Sequence, residues 1–118
     1  MRDHIAPDAT IKHEVVGEAV VLHISGQMRE MGADALREEL DELVAAGHFR
    51  LIFDLGDVSF VSSTGLGQMM RAYRQAVSNG GYLRVVNPQP LVEEVFRFTK
   101  LHTLIGIFPT IEAALAAG

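Results

Sequence analysis

The sequence predicts a mixed α/β domain whose β-sheet is mostly parallel and carries four α-helices. Apolar runs typical of strands alternate along the chain with segments of helical periodicity, and the first two runs meet at a tight glycine turn. Strands that alternate with helices need crossover connections, which favours parallel pairing after an antiparallel opening hairpin. The predicted order is β-β-α-β-α-β-α-β-α, and a chain of 118 residues fits one compact domain.

The opening hairpin is predicted from two strand-like runs. "IKHEVVG" alternates between apolar and polar residues, "AVVLHISG" is almost continuously apolar, and Gly17 and Glu18 supply the turn between them. Residues 1–10 carry no such pattern and are expected to form a loose arm, which leaves residues 11–118 as the folded domain.

The first predicted helix lies in "MGADALREELDELVAAG". Its apolar stripe at helical spacing consists of Ala33, Leu36, Leu40, Leu43 and Val44. The acidic residues and Arg37 are predicted to occupy the opposite face, and Gly47 is predicted to end the helix.

The next strand, "RLIFDLGDVSFV", contains a nearly continuous apolar run, which is typical of a strand buried on both faces. It leads into a helix within "STGLGQMMRAYRQAVSNGG". The apolar stripe of that helix consists of Leu66, Met69, Met70, Tyr73, Ala76 and Val77.

The last third of the chain predicts two further strand–helix units. "YLRVVNP" and "IGIF" are the strands, and "TIEAALAAG" is a terminal helix capped by Thr110. The helix between them, in "PLVEEVFRFTKL", is predicted to turn Leu91, Val95 and Phe98 towards the sheet.

Composition argues against several classes of function. A net charge of −5 with scattered basic residues disfavours nucleic-acid binding. No apolar stretch reaches the roughly 18 residues of a membrane span, so we expect no membrane insertion and a cytoplasmic location. The chain has no cysteine, and its five histidines lack the helical spacing of metal ligands, so neither a metal nor a cofactor is predicted.

The carboxyl ends of parallel strands meet at one edge of a sheet, and three segments of this chain are predicted to converge there. They are residues 26–30, 56–65 and 87–90. The middle segment holds three consecutive hydroxyl side chains, Ser62, Ser63 and Thr64, where a helix begins and where Gly65 and Gly67 leave the backbone accessible.

Three interpretations of these hydroxyls are open from the residues alone. Serine and threonine are preferred helix N-caps, a regulated or binding hydroxyl needs the same exposed position, and a serine nucleophile is the third. Catalysis is disfavoured because the sharp G-x-S-x-G turn is absent and no histidine lies in the three segments. A phosphate cradle is also disfavoured, since "STGLGQ" lacks the lysine of a P-loop. The chain is therefore not expected to be an enzyme.

From about Ile11 to its end, the chain resembles the STAS domain of bacterial anti-sigma factor antagonists. The likeness rests on "LIFDLGDVSFVSSTGLGQ" with its strand and helix context. In that family the residue just before the first glycine accepts phosphate, which here is Thr64, with Ser63 beside it as the alternative acceptor. The resemblance implies a STAS-like fold and a partner that is an anti-sigma factor with serine/threonine kinase activity, with a phosphatase as a further candidate partner.

The resemblance also implies a partner-binding surface. Its residues would be Gly26, Gln27, Arg29, Asp57, Ser62, Ser63, Thr64, Gly65, Leu66 and Gly67. The topology predicts that the loop of Arg29 lies beside Thr64, which leaves two interpretations of Arg29: a guanidinium that pairs with a phosphate on Thr64, or a solvated loop arginine.

Two positions depart from the family pattern. The usual Asp before the hydroxyl pair is Ser62 here, and a "GELD"-like turn is replaced by "GQMR". Two alternatives therefore stay open: a STAS binding or scaffold subunit that is never phosphorylated, and a STAS module that binds a small molecule or nucleotide.

Overall fold

The computed structural model describes residues 3–118, which form one six-stranded sheet and four α-helices. The strands are β1 (His4–Ile5), β2 (Ala9–Val16), β3 (Ala19–Met28), β4 (Arg50–Val61), β5 (Tyr82–Val86) and β6 (Gly106–Phe108). The helices are α1 (Glu30–Ala45), α2 (Ser63–Ser78), α3 (Pro90–Phe98) and α4 (Ile111–Ala116), with a 3₁₀ turn at Leu101–Thr103. Among these residues no helix is both long and apolar enough to cross a membrane.

The strands lie in the sheet in the order in which they occur along the chain. Strands β1, β2 and β3 pair antiparallel, and β3, β4, β5 and β6 pair parallel. Gly17, with a φ of +62°, lies in the two-residue turn that joins β2 to β3. The predicted α/β architecture, with its opening hairpin and parallel strands, is confirmed.

The N-terminal segment differs from the loose arm expected over residues 1–10. His4 and Ile5 pair with Ile11 and Thr10, and β2 already begins at Ala9. The sheet therefore has one short strand more than the sequence pattern predicts, because a two-residue strand is too short to show an alternation. Met1 and Arg2 lie outside the described residues.

Helices cover both faces of the sheet. The larger apolar cluster joins α1, α2 and α3 to one face, to which Leu51, Phe53 and Leu55 of β4 contribute. The smaller cluster joins α4 to the other face, where Ile52 contributes. Strand β4 is thus buried on both sides, as its continuous apolar run predicts.

Three predictions of side-chain orientation are wrong. In α3 the buried residues are Val92 and Phe96, whereas Leu91 and Phe98 are exposed. This helix is apolar on two sides, and only the i, i+4 pair faces the sheet. Val77 at the end of α2 is also exposed, and Glu39, predicted on the polar face of α1, is fully buried.

Two segments predicted as loops at the carboxyl edge belong to strands. Strand β3 continues to Met28 and β4 to Val61, and their pairing is interrupted by register shifts between His23 and Ser25 and between Gly26 and Gln27. On β4 these shifts are β-bulges, which bend a strand and redirect its side chains. Pairing continues beyond the bulges to Met28 and Val61, so both strands end close to the start of α2.

Candidate functional site

The three segments predicted to converge do meet at the carboxyl edge of the sheet. Met28 at the end of β3 is paired with Val61 at the end of β4, and its carbonyl oxygen accepts a hydrogen bond of 2.8 Å from the Ser62 amide. From the third segment, the Gln89 side-chain amide donates to the Gly56 carbonyl at 3.0 Å. The start of α2 is therefore fixed directly beside the residues that lead into α1.

The three hydroxyl residues have different environments. Ser62 is the N-cap of α2, and its Oγ accepts a hydrogen bond of 3.1 Å from the Gly65 amide. Ser63 is exposed at the first helical position. Thr64 is half-buried, and its Oγ1 lies 3.2 Å from each carboxylate oxygen of Glu30, to which it donates. One hydroxyl is thus committed to capping, while the other two lie at the surface.

Glu30 is a component of the site that the sequence reasoning did not single out. It is the first residue of α1, directly after the N-cap Arg29, and its side chain is exposed. The contact with Thr64 joins the first turn of α1 to the first turn of α2. Its only signal in the sequence is an acidic residue at a helix start, which is common because the helix dipole favours negative charge there.

Arg29 faces Phe60 in this structure. The guanidinium carbon lies 4.7 Å from the centre of the Phe60 ring, which is within the range of a cation–π contact, and its Nε donates to Gln27 Oε1 at 3.0 Å. Phe60 is 38% exposed although it is a large apolar residue. Met31, in the first turn of α1, is 58% exposed. Neither apolar residue was singled out from the sequence.

The glycines of this region have unequal roles. A Cβ at Gly65 would lie 2.6 Å from Met28 Cγ, so this position must be small for α2 to pack on the end of β3. A Cβ at Gly26, where φ is +102°, would lie 2.4 Å from the Asp8 carbonyl oxygen. At Gly67, which is exposed on α2, a Cβ would meet no atom within 4 Å. The fold therefore requires the first two glycines and does not require Gly67.

The remaining predicted site residues lie around this centre. Asp57 is exposed on β4, where it pairs with Ser25 of β3, and Gln27 is exposed near the end of β3. Leu66 is half-buried and packs against the main apolar cluster, so much of its side chain serves the core.

A histidine–carboxylate group supports the bulge in β4. Asp54 Oδ1 accepts from the Gly56 amide at 3.1 Å, and its Oδ2 lies 3.0 Å from His23 Nδ1. The other ring nitrogen of His23 lies 2.9 Å from Glu14 Oε1. Partial burial alone would lower the pKa of His23, but hydrogen bonds and charges from Glu14 and Asp54 outweigh it and raise that pKa above its ordinary value.

Several known proteins are similar to this chain in sequence and in fold. The family model described as the STAS domain matches residues 7–114. An anti-sigma-B factor antagonist of Bacillus subtilis is 32% identical over 88 residues, which cover 75% of this chain and 80% of the relative.

Solved structures agree with that assignment. An anti-sigma factor antagonist from Mycobacterium paratuberculosis superposes with a TM-score of 0.82 at 29% identity, covering 93% of this chain and 94% of its own. SpoIIAA, a Bacillus cell fate determinant solved in its phosphorylated form, shares the fold with a TM-score of 0.73 at 24% identity, covering 89% and 96% of the two chains. The chain belongs to the STAS domain family, and its relatives include anti-sigma factor antagonists.

Proposed function

We propose that this chain is an anti-sigma factor antagonist that works in the cytoplasm by partner switching. In its unmodified form it binds an anti-sigma factor with serine/threonine kinase activity and so frees a sigma factor. The partner then phosphorylates Thr64 and the complex separates, until a phosphatase removes the phosphate. The observation that carries this proposal is the surface hydroxyl of Thr64 at the start of α2, bonded to Glu30, whose chain neighbour Arg29 stacks on the exposed ring of Phe60.

The surface around Thr64 suits a protein partner. Phe60 offers exposed apolar area, and Arg29, the chain neighbour of Glu30, stacks on it. Aromatic residues and arginine are among the types enriched in protein–protein interfaces. The first turns of α1 and α2 both reach this surface, so one partner can contact both helices.

Phosphate on Thr64 would act mainly on the interface. It adds roughly −1.5 to −2 charges at neutral pH. The first turn of α2 has no acidic residue, and the helix dipole stabilises a negative charge there by about 0.3–1 kcal/mol, too little to rearrange a packed domain. In the complex, by contrast, a dianion held against an apolar or acidic partner surface costs several kcal/mol in lost hydration and repulsion. Each ~1.4 kcal/mol lowers affinity tenfold, so release of the partner follows.

Glu30 would increase the effect of phosphorylation on partner binding. The hydroxyl oxygen that would carry the phosphate lies 3.2 Å from both Glu30 oxygens, so phosphorylation replaces a hydrogen bond with a like-charge contact. Because Glu30 is exposed, its side chain can turn away into water. The same modification would therefore add a dianion and displace a carboxylate at the surface that the partner covers.

We also propose that the Arg29 side chain exchanges its contacts when Thr64 is phosphorylated. In the unmodified protein its guanidinium contacts Phe60 and Gln27. A phosphate on Thr64 offers it a hydrogen bond between two oppositely charged groups, which is stronger than its contacts with the uncharged Gln27 amide and Phe60 ring. Its release from Phe60 would alter the apolar part of the surface. Under this proposal Arg29→Ala shortens the lifetime of the phosphorylated form, which dephosphorylation assays measure directly.

Affinity for the partner tests the proposal. Immobilised wild-type chain and Thr64→Glu are exposed to extract of the native cells, and the anti-sigma factor that the wild type retains is purified for titration. We expect Thr64→Ala to bind like the wild type and Thr64→Glu to bind at least about 100-fold more weakly, a loss of ~2.7 kcal/mol. All three chains should melt at similar temperatures. Equal affinity of Thr64→Glu and wild type contradicts the switch.

The acceptor is identified with the same purified partner and ATP. We expect mass spectrometry to find phosphate on the wild type and on Ser63→Ala, and none on Thr64→Ala. The opposite pattern assigns the acceptor to Ser63. No incorporation in any chain, with partner binding retained, supports a STAS scaffold subunit that is not phosphorylated, whereas a thermal shift with ATP or GTP alone supports a nucleotide-binding module.

A further inference from the structure

A cluster of histidine and glutamate side chains lies away from the Thr64 surface, between β1, β2 and the second half of α1. His4 Nε2 lies 2.9 Å from Glu39 Oε2 and 3.0 Å from Glu42 Oε2. His13 Nδ1 lies against the other oxygen of Glu39. Glu38 Oε2 is 3.7 Å from His4 Nδ1. None of these residues belongs to the proposed partner surface.

The centre of the cluster is buried. His4 is 5% exposed and Glu39 is fully buried, whereas Glu42 is about half exposed at the rim. Among residues 3–118, Glu39 Oε1, Glu39 Oε2 and His4 Nε2 have no hydrogen-bond partner, although each has an ionic partner at short distance. Buried polar atoms without a hydrogen bond need another partner, and a cation bound by them would supply it.

The charges of the cluster also favour a bound cation. A buried carboxylate is costly unless a positive charge or a metal compensates it. Here Glu38, Glu39 and Glu42 all lie within 4 Å of the single His4 ring. A divalent cation bound next to the fully buried Glu39 would supply this compensation.

The donor distances fit a small divalent ion. Zinc binds imidazole nitrogen and carboxylate oxygen at about 2.0–2.2 Å, and ligands at such distances in a tetrahedron lie about 3.3 Å apart. The His4–Glu39 and His4–Glu42 separations of 2.9 and 3.0 Å are close to that value, and the three donor atoms all lie within 4.8 Å of one another. Imidazole among the donors favours a transition ion over magnesium or calcium, which prefer oxygen alone.

We infer that His4 Nε2, Glu39 and Glu42 form a site for a divalent transition-metal ion of the zinc type. His13 lies outside the ligand set and fixes the Glu39 carboxylate through its second oxygen, which is the usual role of a side chain that contacts a metal ligand. The fourth position is left to water. Because the ligands come from β1 and α1, the ion ties the short N-terminal strand to the helix.

Metal titration of the full chain, prepared without an affinity tag and freed of metal by a chelator, tests the inference. We expect calorimetry to show one equivalent of Zn²⁺ bound, Co²⁺ to give visible absorption bands, and Mg²⁺ to give no saturable heat. Zn²⁺ should also raise the melting temperature and slow amide exchange of Ala6, whose N–H is bonded to the Ala9 carbonyl at 2.8 Å.

Variants separate the site from surface binding. Glu42→Gln is the key change, because Glu42 is at the rim and its loss should not prevent folding; we expect at least a hundredfold weaker Zn²⁺ binding. His13→Gln should weaken binding by about ten- to a hundredfold. Glu14→Gln is the matched control, since Glu14 lies 2.9 Å from another histidine, His23, on an exposed surface; we expect it to bind like the wild type.

Two results would overturn the inference. One is a tag-free wild-type chain that shows no saturable Zn²⁺ binding. The other is Zn²⁺ binding that Glu14→Gln weakens as much as Glu42→Gln does, which would place the ion on the surface. Neither result depends on a protein partner, so the metal site and the proposed switch at Thr64 stand or fall separately.

Discussion

The hydroxyl of Thr64 donates to both carboxylate oxygens of Glu30, at 3.2 Å each, and so joins the first turns of α1 and α2. The hydroxyl is bound to a neighbour and yet remains at the surface. A group in this position can be modified without opening the core, and the modification changes the charge next to Glu30 at once.

A double-mutant cycle measures that change without any partner. In Thr64→Glu a carboxylate faces Glu30, and the favourable helix dipole offsets part of the repulsion, so we expect little net change in unfolding free energy. Combining it with Glu30→Gln should relieve the repulsion and reveal a coupling of about 0.2–1 kcal/mol, the range for exposed charge pairs. Urea unfolding at low salt measures it. Strict additivity of the two changes contradicts the contact.

The cap of α2 gives a second prediction. Ser62 Oγ accepts from the Gly65 amide, so Ser62→Ala should lower the unfolding free energy by about 1 kcal/mol. Ser62→Asp should keep the cap, because aspartate serves this position equally well. Ser63→Ala is the matched control, since Ser63 is exposed and does not cap the helix. Thermal and urea unfolding of the three variants check this; equal losses for the alanine variants at 62 and 63 disagree with it.

The cap also bears on how the chain departs from its family. The sequence shows a serine where the family usually has Asp, which suggests the loss of a functional carboxylate. The structure shows that this position is an N-cap, where serine and aspartate are interchangeable. The departure therefore leaves the local geometry of α2 intact.

Sequence patterns predicted the parts of the fold that depend on local periodicity. The continuous apolar run of β4 and the stripe of α1 at Leu36 and Leu40 were sufficient, because burial of one face determines both patterns. Thr110 caps α4 as predicted, since its Oγ1 accepts from the Ala113 amide at 3.1 Å.

The features that were missed depend on tertiary contacts. The bulges of β4 arise from its pairing with β3, and the contact of Thr64 with Glu30 joins residues 34 positions apart. The burial of Glu39 depends on His4 and His13, which belong to two different strands. Glu39 and Glu42 do share one helix face at i, i+3 spacing, which was the available signal for that cluster.

The raised pKa of His23 predicts a pH dependence of stability. A histidine whose pKa is higher in the folded protein stabilises it fully below the unfolded value of about 6.5, and this contribution is lost as pH rises through the folded pKa. Wild type should therefore lose stability relative to His23→Gln as the pH rises above about 6.5. Glu14→Gln should reduce the effect by removing one of the two carboxylates. A pH-independent difference between wild type and His23→Gln contradicts the prediction.

Gly67 offers a change that should separate stability from binding. A Cβ there meets nothing within 4 Å, and alanine is about 1 kcal/mol better than glycine inside a helix, so Gly67→Ala should raise the unfolding free energy.

The same methyl group lies on the exposed face of α2 one turn beyond Ser63, where the proposed partner approaches closely. We therefore expect a more stable protein with weaker partner affinity, measured by urea unfolding and by titration with the purified partner. Gly80→Ala is unsuitable as the control because its φ of +80° strains any side chain, so Arg74→Ala, at an exposed position further along α2, serves instead. Unchanged partner affinity in Gly67→Ala would place the interface away from this turn of α2 and towards Arg29 and Phe60.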